Sequence, residues 1–191
     1  MACFNRHGRE NIMSSRLNTI PMGEATGEIK ELYGAIQEKM GTVPNIFKGM
    51  AASPVLLKAY LQLDELIAEG TLSGPEQDIV RLVASQYNDC EYCLAAHTKT
   101  AGAQGLSEDE ILAVRRGSPT DAKQAALVTF VQRILDTKGF VEDADLQAFR
   151  DAGYDDAQVC EVITIIGQKM MSNFFNHVHD TELDFPKPKE L

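Results

Sequence analysis

Helix punctuation recurs along this chain while strand patterning is missing, and that contrast constrains the fold more than any other feature. Ser73 and Glu76 form an S-x-x-E capping box ahead of Ile79, Val80, Leu82 and Val83, and Ser107 with Glu110 repeats the device ahead of Ile111, Leu112 and Val114. Ile29, Leu32, Tyr33, Ile36 and Met40 recur at helical spacing, with Gly41 placed to stop that helix in a left-handed cap. Ser53-Pro54 supplies an N-cap and a proline at the first helical position for a helix running toward Gly70. Val43 to Phe47 reads as a connector with one short turn. Leu127, Val128, Val131, Ile134 and Leu135 predict a further amphipathic helix, and Leu146 with Phe149 a shorter one ending near Gly153. Asp155 or Asp156 opens a long helix through Val159, Val162, Ile163, Ile166 and Met170; apolar on more than one face, it is expected to be central. No stretch alternates apolar and polar residues long enough to argue a sheet, so the fold class is all-α.

With 191 residues and 44% hydrophobic content, the chain is long enough for one domain and short for two. The expectation is a single all-helical domain over 1–191, with loose or extended ends at 1–18 and 185–191 and a redox core at about 72–138. Gly74 to His97 and Gly153 to His177 share a faint likeness, too weak to establish a repeat. The net charge of -10 and the lack of a basic stripe oppose nucleic-acid binding, which draws on clustered Lys and Arg. The start lacks the apolar region of a signal peptide, and no run approaches the about 18 apolar residues of a membrane span. A cytoplasmic location is expected, where stable structural disulfides are uncommon.

Chemistry concentrates in Cys90-Glu91-Tyr92-Cys93-Leu94-Ala95-Ala96-His97. On a helix, the four-residue step puts Cys93 and His97 on one face, close enough to share a proton, and Cys90 comes to the same end. The cysteines could close a disulfide or share a metal. Asn88 or Asp89 is the expected N-cap, leaving both cysteines in the first turn, where amide dipoles favour a thiolate. Asp89 and Glu91 oppose that effect, so His97 is the expected proton acceptor or relay, with Asp78 of the preceding helix orienting the imidazole. Glu76 faces away from Asp78 and is read as a capping residue. A metal site needs more ligands than these; His177 and His179, two apart on a helix, face different ways and are read as structural or subunit-contact residues. Cys160, among Val159, Val162 and Ile163, is expected to be a small core residue; Met40, Met50, Met170 and Met171 are read as core or oligomer interface. Cys3 lies in the N-terminal end and takes no part.

Cys90-x-x-Cys93-x-x-x-His97, preceded by an acid at position 78, resembles the active-site motif of the alkyl hydroperoxidase D-like, carboxymuconolactone decarboxylase-like superfamily. The densest likeness runs from Leu72 to Thr98. Val43-Pro44-Asn45-Ile46-Phe47, Asn173-Phe174-Phe175-Asn176-His177 and Thr181 to Pro186 resemble the peroxidase-related branch and extend it over most of 17–186. The resemblance implies an all-helical subunit, assembling as a homo-oligomer (trimer or hexamer), that reduces hydroperoxides without a cofactor. It implies that Cys93 attacks the peroxide and becomes a sulfenic acid, that Cys90 closes a disulfide with it, and that an external dithiol reopens the bond. This chain has Asp78 where the family usually has glutamate, and Tyr92 where some members have a histidine. Three other functions stay open: a protein or small-molecule disulfide oxidoreductase, a zinc-binding or scaffolding oligomer, and a lactone decarboxylase, whose chemistry needs no C-x-x-C.

Overall fold

A computed structural model describes residues 15–191. Among the described residues, a 3-10 turn at Met22–Glu24 is followed by nine helices: α1 (Gly27–Met40), α2 (Asn45–Met50), α3 (Pro54–Ala68), α4 (Gly74–Tyr87), α5 (Glu91–Ala103), α6 (Glu108–Arg115), α7 (Ala122–Thr137), α8 (Asp143–Asp151) and α9 (Asp156–His179). No strand occurs among the described residues, so the all-α expectation holds. Residues 1–14, including Cys3, lie outside the described residues.

The caps form where their residues predict them. Ser73 Oγ accepts from the Glu76 amide while the Glu76 carboxylate takes the Ser73 amide at 2.9 Å; Ser107 and Glu110 do the same for α6. Asp155 caps α9 with a reciprocal Gln158, and Gly41 closes α1 at φ 75°. One expectation fails at the start of α5. Its N-cap is Cys90 itself; Asn88 ends α4, and Asp89 holds a left-handed φ of 54° that turns the chain between the two helices.

Helix α4 is the hub, packed against α5, α6, α7 and α9. Ile79, Val80, Leu82 and Ala84 are wholly buried within the larger apolar cluster, which reaches through α7, α8 and α9. Each fully buried Val, Leu or Ile side chain contributes about 1.5–3 kcal/mol of transfer free energy. A second cluster joins α1, α2 and α3 and contains Cys90, Tyr92 and Cys93. The start of α5 therefore sits between the two apolar clusters.

Helix α9 is central as expected, packed against α2, α3, α4, α5 and α7, but one of its apolar faces is left outside. Ile163, Phe174 and Val178 stand in solvent, as does Cys160, contrary to the expectation of a core thiol. Helical periodicity alone does not say which of two apolar faces meets the core. The side turned inward carries Val162, Ile165 and Ile166 in its first half and Gln168, Lys169, Ser172, Asn173 and Asn176 in its second, all buried. Of the methionines, Met50 is core and Met40 is largely exposed.

Both ends of the described chain are extended and tied down. The Arg16 amide donates to the His179 carbonyl at 2.8 Å, and the Tyr33 hydroxyl to the Ile20 carbonyl at 2.9 Å. His179 bridges Thr19 and Thr181 through its two ring nitrogens, at 3.1 and 2.9 Å. Its ring lies against Gly49, where a Cβ would come within 2.6 Å, so α2 and the end of α9 meet only because residue 49 is glycine. At the C-terminus, Arg115 donates to the Lys189 carbonyl at 2.7 Å, and Asp184 accepts from the Asn45 amide at 2.7 Å.

Candidate active site

Cys90 and Cys93 are both buried thiols, at the N-cap and in the first turn of α5. The Asn176 amide of α9 donates to Cys93 Sγ at 3.2 Å and lies 3.8 Å from Cys90 Sγ; Ser172 Oγ is 3.9 Å from Cys93 Sγ. The Cys90 thiol also donates to the Cys93 sulfur. This bond lowers the Cys93 pKa; burial opposes the change, and the nearby Lys169 charge and the Asn176 amide reinforce it. The same bond, with burial and the Cys93 charge, pushes the Cys90 thiol far up. The pair thus shares one proton, favoured on Cys90, with the negative charge favoured on Cys93.

His97 lies one turn beyond Cys93, and Asp78 of α4 faces it with Oδ1 3.3 Å from Nδ1. The aspartate's shorter arm reaches the ring directly, although the N–H is too poorly aligned for a full hydrogen bond. Asp78 is held on all sides: Thr100 donates at 3.0 Å, Gln104 at 2.6 Å, and Arg81 lies 3.6 Å away while also reaching Asp64. Burial would raise its carboxyl, but the contacts with His97, Arg81 and Thr100 outweigh that and hold it below the usual range.

The partner of His97 Nε2 is Lys169, not Cys93: Nζ lies 2.9 Å away and also donates to the Tyr60 hydroxyl at 3.1 Å. Burial and the Lys169 charge lower the His97 pKa to about 4, which keeps the ring neutral, with Nδ1–H toward Asp78 and Nε2 accepting from lysine. All four residues singled out in the sequence, Asp78, Cys90, Cys93 and His97, come together here. Lys169, Ser172, Asn176 and Tyr60 were not anticipated. Polar residues at 168, 169, 172, 173 and 176 repeat at helical spacing inside an apolar helix, and that row was the available signal.

Cys93, His97, Lys169 and Asp78 open on a cavity of about 350 Å³. Ile46, Phe47 and Phe185 are among its apolar walls. Tyr92, between the cysteines, donates to Asp184 at 2.5 Å and meets Phe185 edge-on, so it anchors the C-terminal segment over this wall. Among the described residues no group of three or more His, Cys, Asp or Glu side chains converges as a metal site would require. No helix among them is long and apolar enough to cross a membrane.

The all-helical fold thus holds a buried C-x-x-C with a histidine one turn on, backed by an acid from the neighbouring helix. Residues 54–132 match the model of the carboxymuconolactone decarboxylase family. The fold matches that of a peroxidase-related protein with an alkylhydroperoxidase AhpD core from Ralstonia eutropha JMP134, at a TM-score of 0.82, 21% identity, and coverage of 91% of this chain and 94% of that one. A peroxidase-related protein from Silicibacter sp. TM1040 matches at 0.79 with 24% identity, covering 91% and 94%. The debrominase Bmp8 matches at 0.73 with 15% identity, covering 91% and 93%. No curated protein matches the sequence. The likeness to that family covers 54–132, less than half of the chain, and the solved structures share the fold.

Proposed function

We propose that this chain is a thiol-dependent peroxidase of the peroxidase-related branch, acting in antioxidant defence. The observation that carries the reading is the buried sulfur pair: Cys93 lines an apolar-walled cavity and accepts from the Asn176 amide at 3.2 Å, with Cys90 behind it on the same amide at 3.8 Å. Cys93 attacks the distal oxygen of a hydroperoxide, the O–O bond breaks, and Cys93 becomes a sulfenic acid. Cys90 then displaces the sulfenic hydroxyl, which leaves as water with the Cys90 proton, and the disulfide forms. An external dithiol reopens it by exchange. Asp78 and His97 act as positioning residues that fix the polar wall of the cavity. The cytoplasm as the site of action and assembly into a trimer or hexamer belong to the same proposal.

Burial of both sulfurs favours a small peroxide over a protein disulfide as oxidant, because a folded partner's disulfide does not fit a cavity of about 350 Å³. The test is turnover of an organic hydroperoxide with a small dithiol as donor. Cys93→Ser abolishes turnover and Cys90→Ser halts after one event; undiminished turnover in Cys93→Ser overturns the assignment. A reduced protein that reacts faster with small disulfides than with hydroperoxides would make it a disulfide oxidoreductase.

A further inference from the structure

Lys169 is a buried cation that none of the steps above uses. It is 1% exposed, and no carboxylate among the described residues lies within 4.0 Å of its Nζ. A buried charge without a counter-ion is strongly unfavourable. Its polar partners are two neutral acceptors, His97 Nε2 at 2.9 Å and Tyr60 Oη at 3.1 Å. An ammonium carries three N–H groups, so one remains without a protein partner on a residue that lines the cavity. Cys93, whose sulfur feels the Lys169 charge, lines the same cavity, as do Asp64, Asp78, Arg81 and Lys99. Arg81 cannot take this part, since Asp64 and Asp78 already engage it.

We infer that Lys169 is the proton donor of the reaction: it balances the Cys93 thiolate in the reduced protein and protonates the oxygen that leaves when the O–O bond breaks. This rests on the peroxidase reading above. The proton count closes without any group beyond those named. Thiolate, Cys90 thiol and Lys169 ammonium meet ROOH; Cys93 takes the distal OH, and the departing RO⁻ takes a proton from Nζ to give the alcohol. Cys90 then expels the sulfenic hydroxyl as water, leaving a disulfide and a neutral amine. The negative sulfur and the positive nitrogen thus vanish together, and no uncompensated charge is left buried in the oxidised protein. Reduction by a dithiol returns both protons, one to Cys90 and one to Lys169. His97 has its Nε2 lone pair occupied by lysine, so its task is to aim Nζ, and Asp78 fixes the tautomer that can do so.

Leaving-group basicity provides the test. An alkyl hydroperoxide expels an alkoxide, a strong base that needs a proton; a peracid expels a carboxylate, which does not. Lys169→Met and Lys169→Arg are compared with the wild type in single-turnover oxidation of reduced protein, each rate divided by the thiolate fraction read from absorbance. The expected result is a loss of about 10²-fold or more with the alkyl hydroperoxide, in the range of general acid catalysis, against a change of only a few-fold with the peracid. Lys169→Arg retains the charge, and so the thiolate, yet loses the alkyl hydroperoxide reaction because guanidinium does not give up a proton. Equal losses with both oxidants, or none, overturn the role of Lys169 and leave the peroxidase reading standing. A wild type inert to both oxidants removes that reading itself. A series of hydroperoxides on the wild-type protein needs no variant: rates that vary little with leaving-group basicity are expected, and a steep decline refutes the proton donor.

Discussion

Replacing Cys90 by alanine isolates the bond on which the ionisation of Cys93 depends. In the reduced protein the Cys90 thiol donates to Cys93, the largest influence on a sulfur otherwise penalised by burial. A hydrogen bond to a charged acceptor is worth about 1.5–3 kcal/mol. At about 1.36 kcal/mol per pH unit, its removal moves the Cys93 titration upward by about one to two pH units. Asn176 and Lys169 stay in place, so the thiol does not revert to a wholly buried, unassisted one. Thiolate absorbance against pH, with alkylation rate as a second probe, reads the midpoint in wild type and Cys90→Ala. The complementary variant Cys93→Ala removes the thiolate beside Cys90 and leaves its burial, so the remaining thiol still titrates above its ordinary value. A Cys93 midpoint unchanged or lowered in Cys90→Ala refutes the shared-proton description, because the stabilisation would then come from elsewhere.

Two further perturbations address the polar wall. Lowered to about 4 from an ordinary 6.5, His97 contributes stability that is fully present above pH 6.5 and lost as the pH falls from there toward 4, because only the unfolded chain binds the proton in that window. At about 1.36 kcal/mol per pH unit the loss is about 3 kcal/mol, and His97→Asn should flatten this part of a denaturation series. Asp78→Ala leaves Arg81 without one of its two carboxylates, strips Thr100 and Gln104 of their acceptor, and should destabilise by about 3–5 kcal/mol in urea titration; an effect under about 1 kcal/mol contradicts the network.

The helical plan is legible in the sequence because it depends on local rules. Ser73 and Glu76, Ser107 and Glu110, and Asp155 satisfy the first amides of their own helices, so their positions alone mark the boundaries. That Cys93 and His97 line one cavity is legible for the same reason, since four residues on a helix make one turn, but the partner of the ring, Lys169, is not. Locally ambiguous positions were not. Asn88, Asp89 and Cys90 stand in line at a helix start, and the left-handed turn at Asp89 moved the cap onto Cys90. Cys160 lies on a helix with more than one apolar face, of which Val162, Ile165 and Ile166 mark the buried one and Cys160 and Ile163 the exposed one.

The rest of the candidate site comes from residues far apart in the chain. Lys169 meets His97 across 72 positions and Asn176 meets Cys93 across 83, and helical periodicity carries no information about such pairs. The row of polar residues on α9 marked the helix as unusual but did not name its partners. Asp184 lies in the Thr181 to Pro186 segment that carries the resemblance, but nothing in the sequence pointed to its contact with Tyr92.

The central claim is that Cys90 and Cys93 form one redox unit with Cys93 as the attacking sulfur. Its most direct test is the mass of the reduced protein before and after one equivalent of an organic hydroperoxide, followed by peptide mapping. The account predicts loss of two hydrogens confined to the peptide bearing Cys90 and Cys93, and a stable oxygen adduct on Cys93 when Cys90 is serine. An unchanged mass, or oxidation confined to the exposed Cys160, would contradict it.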